Sequence, residues 1–536
     1  AFTHVIIGAG TAGAILANRI SSNPENSVVV VEAGGSYESN KLAEIPAGFP
    51  ALWRNEKYSW QLHTTSQEKL NGRQLFWPRG KGLGGSSSIN AAFHQRPPAG
   101  DIDAWEREHG CTGWNWRTLQ PYFDKYDSSA GGPLETTTAE NGAAPVSRNF
   151  ADACTSIGIH RLDNINDTAN GLNGVGFTHR FIDSNGRRAS TATGYLSSGL
   201  LAERPNLSVV TNCIVTRILF NEEGDTPEAV GIELASLQHG KVYHIFAKSE
   251  VILCAGAVHS PQLLMVSGVG PREHLETHGI RVVADLPGVG ANLQDHPGVN
   301  LSFTTPFWDS RSYLKYLGIF ALAQWMWNGS GPAASNGLEA AVFVNTEETS
   351  PPADRPDIEI SSIFAYVGGL GDSTGPPLLT TGLATMFIRL MRPHTSSGFI
   401  KLASSCMLDA PAIDPDYFAD DRDMDAMVRG VRLALQINKA MVERGTSYGM
   451  YDLNKPEVSD QDIVNYLKER CETGCHPTST CSMGNGSNRM AVVDTNLCVN
   501  KVAKLRTVDA SVFPSIPSVP LVATVIALAE RAADVI

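Results

Sequence analysis

Apolar residues open the chain as a short run, "HVIIGAG", followed by an amphipathic stretch "AGAILANRISS", a polar "NPEN" and a second apolar run "SVVVVEAGG". The two apolar runs predict buried strands, the amphipathic stretch a helix and "NPEN" a turn, so residues 1–35 read as strand, glycine turn, helix, strand. The strand-to-helix order returns in "SEVILCAGAVHSPQLLMVSGVGP", while "NLSVVTNCIVTRILF" and "AVGIELAS" predict strands of a smaller sheet. Between Pro306 and Tyr466, loops such as "NGSGPAASNG" and "GDSTGPPLLTTG" alternate with strand-like "ATMFIRLMRP" and "GFIKLAS", the texture of a second, α+β region. The closing segment from Val522 has a strong helical pattern. An α/β dinucleotide-binding domain assembled from separated segments accounts for this order most economically.

Composition narrows the partners. The 536 residues exceed one ordinary core, and 42% hydrophobic with 18% charged residues is a globular balance. A formal charge of −13 opposes phosphate backbones and anionic membranes, so nucleic acid is not expected. The nearest approach to a membrane span, "YLGIFALAQWMW", is too short to cross a bilayer, so no membrane insertion is expected. Nine cysteines are sparse and odd in number, so at least one stays free or pairs with another chain. The opening "AFTHVIIGAG" carries no initiator Met, charged n-region or apolar h-region, as in a processed or trimmed product. Sequons at Asn166, Asn206, Asn300, Asn328 and Asn485 permit secretion and glycosylation, and the extracellular reading is preferred to the cytoplasmic one. Oligomeric state is not legible.

Gly8, Gly10 and Gly13 form G-x-G-x-x-G between the first strand and the first helix. The first glycine suits a tight turn, the second a close backbone approach by a pyrophosphate, and the third close packing of helix on strand. Thr11 and Ala12 lie inside this loop, and Glu32, followed by Ala33, ends the next strand where a carboxylate can bond both hydroxyls of an adenosine ribose. The loop alone serves FAD and NAD equally.

"CETGCHPTSTCSMG" (Cys471 to Gly484) gathers three cysteines and His476. A zinc site needs four ligands in paired clusters, and no second cluster of such spacing occurs, so no metal is expected.

"WPRGKGLGGSSSINAAF" (Trp77 to Phe93), "GAVHSPQLLMVSGVGP" (Gly256 to Pro271), "GVGANLQDHP" (Gly288 to Pro297), "HPTSTCSMG" and "LRTVDASVFP" (Leu505 to Pro514) occur in this order. Together they closely resemble the signatures of the glucose-methanol-choline (GMC) family of FAD-dependent oxidoreductases, nearest in pattern to its aryl-alcohol, hydroxymethylfurfural and pyridoxine oxidase-like members. The resemblance implies a discontinuous Rossmann-like FAD-binding domain over 1–66, 188–305 and 467–536, and a mixed segment over 67–187 that carries the flavin-contacting signature. It also implies an α+β substrate-binding domain with an antiparallel sheet over 306–466. By the same resemblance Gly85, Ser86, Asn90, Ala91 and Phe93 contact the diphosphate and flavin ring, and Val215 holds the adenine through its backbone. Asp509 and Ala510 meet the ribityl and diphosphate, and Leu521 lies at the start of the last helix, whose positive end favours charge on the flavin's pyrimidine side. Ile89 stands where some members tether FAD through histidine, which implies non-covalent FAD.

His476 falls where the family places its base beside flavin N5. An alcohol O–H is too weak an acid to ionise at neutral pH, so a neutral imidazole takes the proton while hydride leaves the same carbon for N5. His94 and His296 adjoin motifs and could line the site or simply pack. The family's second His or Asn is replaced by Pro520, whose ring carries no hydrogen-bonding group. An apolar rim of Pro520, Leu521 and Val522 suits a small aromatic or allylic alcohol better than a polyol, oxidised to aldehyde or ketone with O2 or another acceptor regenerating the flavin. A hydroxynitrile-lyase-like or other non-redox lyase or isomerase retaining FAD, and a specialised secondary-metabolite oxidase, are the alternatives. Phe307, Trp308, Trp325, Phe364 and Tyr366 are expected to fill the second domain's core more readily than to cover the flavin ring.

Overall fold

The computed structural model describes residues 1–38, 40–310, 318–347, 355–369, 382–395 and 397–536. "GDSTGPPLLTTG" lies outside the described residues except for Gly382.

The opening unit folds as its pattern predicts. Phe2–Ile7 and Val28–Val31 are parallel neighbours joined through the helix Thr11–Ile20, with register from His4↔Val28 to Ile7↔Val31. All four valines of the second strand are buried, as expected for a parallel strand covered on both faces. Leu207–Val210 extends this sheet beyond Val28–Val31, and Leu505–Thr507 lies beyond Val242–Leu253 on the other side.

The smaller sheet expected around "NLSVVTNCIVTRILF" and "AVGIELAS" is not separate. Asn212 takes the left-handed conformation (φ 57°), which Asn tolerates better than most residues, and breaks the first run in two. Leu207–Val210 therefore joins the parallel sheet, whereas Cys213–Asn221 and Glu228–Ser236 form an antiparallel meander with Val242–Leu253. That twelve-residue strand belongs to both: Val242–Phe246 pairs antiparallel with the meander, and Ala247–Leu253 pairs parallel with the first strand.

The second sheet runs, in spatial order, Gly449–Met450, Pro297–Thr304, Leu383–Leu390, Ile358–Ile363, Leu338–Val344 and Gly174–Phe177, each antiparallel to its neighbour, with Glu472–Thr473 added against Pro297–Gly298. It draws strands from every sequence region: Gly174–Phe177 comes from the 67–187 segment, while Pro297–Thr304 and Glu472–Thr473 come from ranges expected in the FAD-binding domain. The long helix Asp421–Glu443 covers one face and approaches closely at Gly430, where a Cβ would lie 3.0 Å from Ile358 and 3.1 Å from Ile388. Among the described residues no helix is long and apolar enough to cross a membrane.

Candidate active site

A cavity of about 540 Å3 lies where the two sheets meet. Its first wall is built from two glycine-rich loops. Gly8 turns the chain out of the first strand at φ 93°, and a Cβ there would lie 2.6 Å from the Cys254 carbonyl oxygen. Gly10 caps the first helix without a side chain, so that helix N-terminus meets the cavity beside Thr11 and Ala12. Gly85, at φ 51°, faces it closely enough that a Cβ would lie 2.7 Å from Gly10 Cα. Gly13 does not line the cavity; a Cβ there would sit 1.9 Å from the Gly8 carbonyl oxygen, so its role is close packing of helix on turn.

Glu32 ties these loops together. Its carboxylate accepts N–H bonds from Ala9, Gly34 and Gly82, each at 2.9 Å. Burial pushes this carboxyl's pKa up, and the backbone donors oppose that rise. The sequence assigns Glu32 to a ribose; in this structure its carboxylate joins the two backbone walls of the cradle. Ala33 lines the cavity beside it.

The remaining sequence-predicted contacts converge on the same cavity: Ser86, Asn90, Ala91, Phe93, Val215, Asp509, Ala510 and Leu521 all line it. Each polar member is held by the fold. Ser86 Oγ accepts the Gly80 N–H at 3.1 Å, and Asn90 Oδ1 accepts from Ala92 N–H at 2.9 Å and Arg188 Nη1 at 2.8 Å. Asn336, unmarked in the sequence, donates Nδ2 to the Ala91 carbonyl at 2.7 Å and also lines the cavity. Asp509 accepts from Gly256 N–H at 2.9 Å and Ser260 Oγ at 2.6 Å, thereby closing the start of the helix Gly256–Val266, and from Ser511 N–H at 2.8 Å.

At the opposite end, His476 is positioned by sheet pairing. Glu472–Thr473 pairs with Pro297–Gly298, and Gly474 N–H donates to the His296 carbonyl at 2.6 Å, which brings together two motifs 180 residues apart. The two imidazoles meet through Nδ1 atoms 2.8 Å apart, rings nearly perpendicular at 87°. One Nδ1–H must donate to the other nitrogen; when His476 is the donor, its Nε2 carries the lone pair that a base requires. Below the pair, Asp295 Oδ1 accepts the His476 backbone N–H at 2.6 Å, while Oδ2 accepts from Thr473 Oγ1 at 2.5 Å and from the Tyr417 hydroxyl. Cys475 adopts φ 63° and its carbonyl accepts from Arg79 Nη2 at 2.8 Å.

Burial, then the charges nearby, favour neutral imidazoles here. The His476 pKa is held well below the ordinary value by burial, with His296, Arg389 and Arg79 adding to the effect. Burial and Arg389 push His296 down to about 3.

The sequence allows His296 either to line the site or simply to pack, and it makes Pro520 a gap in polar partnership. Pro520 does line the cavity, but His476 finds its partner in His296, the residue just before the strand Pro297–Thr304. Arg389 also escaped notice. It lines the cavity, is nearly buried, stands directly across from Glu359 in the sheet and donates Nη2 to that carboxylate. Two glycines leave it room: a Cβ on Gly298 would lie 2.9 Å from Arg389 Cγ, and one on Gly474 would lie 3.5 Å from Cδ. Leu338, Ile363 and Phe387 supply the apolar part of this wall, and Asn300, bonded to Glu472 at 2.6 Å, a further polar part. No local pattern marks Arg389 or Asn336, since both sit on otherwise ordinary sheet and loop segments.

The candidate aromatics divide. Trp325 and Phe364 are buried, but Phe307 and Trp308 are exposed rather than in the core, because they lie on a loop outside the sheet; Tyr366 is half-buried near Tyr451. His94 is buried and shares a 2.9 Å bond with the Tyr126 hydroxyl, away from the cavity lining. Among the described residues no cluster of His, Cys, Asp or Glu could hold a metal ion.

The cradle fits a dinucleotide: a helix N-terminus without a side-chain cap, glycines where Cβ atoms would intrude, and a carboxylate at the end of the second strand. Comparison with known proteins gives it a family. Residues 2–298 and 393–529 match two family models described as GMC oxidoreductase. The chain is 34% identical to "Dehydrogenase str4" of Strobilurus tenacellus, over 100% of this chain and 94% of the relative. It is likewise 34% identical to the alcohol dehydrogenase (acceptor) of Pseudomonas putida, over 100% and 95%. Among solved structures, pyridoxine 4-oxidase from Mesorbium loti superposes with a TM-score of 0.86 at 28% identity, covering 100% of this chain and 99% of the other.

Proposed function

The chain belongs to the GMC oxidoreductase family, FAD-dependent enzymes acting on CH–OH groups, and from that premise we propose that it oxidises a small aromatic or allylic alcohol to an aldehyde or ketone, with His476 as base. When bound, FAD supplies the two-electron acceptor for the carbinol carbon. The residues that would hold it, without a covalent tether since Ile89 offers no nucleophile, are the Gly8–Ala12 and Gly85–Phe93 walls, Glu32 and Ala33, Val215, Asp509, Ala510 and Leu521.

The chain's own groups handle the proton. A substrate with its apolar body against Phe93, Leu338, Ile363 and Phe387 can bring its hydroxyl to His476. With its Nδ1–H engaged by His296, His476 accepts the hydroxyl proton at Nε2, and the bond to His296 keeps the ring's orientation and tautomer. Pro520 gives the oxygen no partner, so the stabilisation of developing negative charge falls to the newly formed imidazolium and to the polar wall, Arg389 and Asn300. Molecular oxygen or another acceptor completes the cycle.

The observation that carries this reading is the hydrogen-bonded His476–His296 pair, with His476 lining the same cavity as the two glycine-rich loops. The test is anaerobic mixing of the flavin-loaded protein with aryl, allylic and aliphatic alcohols while absorbance at about 450 nm is followed. Bleaching by aryl or allylic alcohols, lost by about 10²-fold or more in His476→Ala with FAD retained, is expected. Consumption of a substrate without bleaching would instead establish a non-redox lyase or isomerase.

A further inference from the structure

The sequence carries five N-glycosylation sequons, and the fold sorts them into two groups. Asn206 spends its amide inside the protein: Nδ2 lies 2.9, 3.2 and 2.8 Å from the carbonyl oxygens of Ser21, Asn23 and Asn26, and holds that turn together. Asn300 donates Nδ2 to Glu472 at 2.6 Å and lines the cavity, so a sugar on it would occupy the substrate wall. Asn166 is pinned at both ends, Oδ1 by the Arg96 N–H at 2.6 Å and Nδ2 on the His94 carbonyl at 3.3 Å.

Asn328 and Asn485 differ from these three and match each other. Both are exposed and both read Asn-Gly-Ser. Asn328 Oδ1 accepts from Ser330 N–H at 3.2 Å and Ser330 Oγ at 2.7 Å; Asn485 Oδ1 accepts from Ser487 N–H at 3.1 Å and Ser487 Oγ at 2.6 Å. This turn is local to three residues, so it is open to the nascent chain as well as to the folded one. A hydroxyl donating to the amide oxygen polarises the amide and makes its N–H more acidic. Gly110, beneath Asn485, leaves space where a Cβ would come within 2.4 Å of Nδ2.

We propose that in a secretory compartment Asn328 and Asn485 carry N-linked glycans and that Asn166, Asn206 and Asn300 do not. The transfer forms a bond from Nδ2 to the anomeric carbon of a lipid-diphosphate oligosaccharide; the sugar–phosphate C–O bond breaks, and the displaced lipid diphosphate takes up the proton lost by the amide. No electrons change hands. Since transfer precedes folding, a glycan on Asn166, Asn206 or Asn300 would occupy an Nδ2 that the folded chain uses as a donor, and molecules so modified would not reach the folded state.

The Asn328 glycan also has a surface to cover. Asn328 ends the helix Ile319–Asn328, which carries no charged residue, and Ile319, Phe320, Ala323, Met326 and Trp327 form one outward stripe, with Phe320 88% and Trp327 89% exposed. So much contiguous apolar surface on a globular protein marks a contact face, and the apolar faces of pyranose rings stack on aromatic side chains.

The test is secretion of the full chain from a yeast host, isolation of the folded, flavin-loaded protein, and enzymatic glycan removal in 18O-water followed by peptide mass spectrometry. Label is expected at positions 328 and 485 only. Label at 166, 206 or 300, or unmodified peptide at 328 or 485, would overturn the assignment. Ser330→Ala and Ser487→Ala should each remove one glycan and leave flavin content unchanged. Binding of an environment-sensitive apolar dye should rise several-fold in Ser330→Ala and stay level in Ser487→Ala; equal binding in the two would overturn the covering role of the Asn328 glycan.

Discussion

His476 has the residue type of a base, but its usefulness depends on three neighbours. His296 meets its Nδ1, the Asp295 carboxylate accepts its backbone N–H, and Arg389 disfavours a second proton on the imidazole pair. Because both imidazoles are held below their ordinary pKa, the rate of flavin reduction should stay level from neutral pH down past about 6.5, the value at which a free imidazole would already be half protonated. A stopped-flow pH series checks this. The charged side chains that act on the pair are Arg389 and Arg79, and Arg389 and its partner Glu359 should move the acid limb oppositely. Arg389→Met removes a positive charge and raises the limb toward the ordinary imidazole value, whereas Glu359→Gln leaves that charge uncompensated and lowers it. His296→Leu should keep FAD yet slow flavin reduction at least about tenfold, as expected when the residue that orients a base is lost. Of these residues, only His476 was legible as functional in the chain. His296 stood in a readable motif without a readable task, and Arg389 lies in a strand whose local pattern is that of any buried strand.

At the scale of elements, the glycine turn and first helix form one unit whose tolerances are set by backbone contacts. Gly13→Ala would drive a Cβ to within 1.9 Å of the Gly8 carbonyl, so the helix must withdraw from the strand. A loss of about 1–3 kcal/mol in stability is expected, with weakened FAD retention, measurable by thermal unfolding and flavin absorbance together. This element was legible because its determinants lie within 32 consecutive residues: an apolar run, three glycines at fixed spacing, an amphipathic helix and an acid at the next strand's end. The meander was less so. Whether "NLSVVTNCIVTRILF" is one strand or two depends on Asn212 turning left-handed, and Asn permits that conformation without requiring it.

For the whole molecule, the cavity is bounded by the parallel sheet on one side and the antiparallel sheet on the other, so FAD bound there would contribute to holding both. Thermal unfolding should therefore depend on free FAD, with about 2.7 kcal/mol added at a hundredfold excess over Kd, and flavin-stripped protein should melt lower when followed by circular dichroism. Stability should also fall in acid from the two imidazoles alone: below about pH 6.5 the unfolded chain takes up protons there that the native pair refuses, a loss that grows as pH descends toward their lowered values. The chain by itself determined the dinucleotide cradle and the family, and it offered His476 as the candidate base, because each rests on residue types at fixed short spacing. Only the tertiary structure decided the partner of that base, the charged wall beside it and the true membership of the second sheet. Those depend on strand register, which sets residues such as His296 and His476 side by side across 180 positions, and register is a property of the packed sheets rather than of any local stretch of sequence.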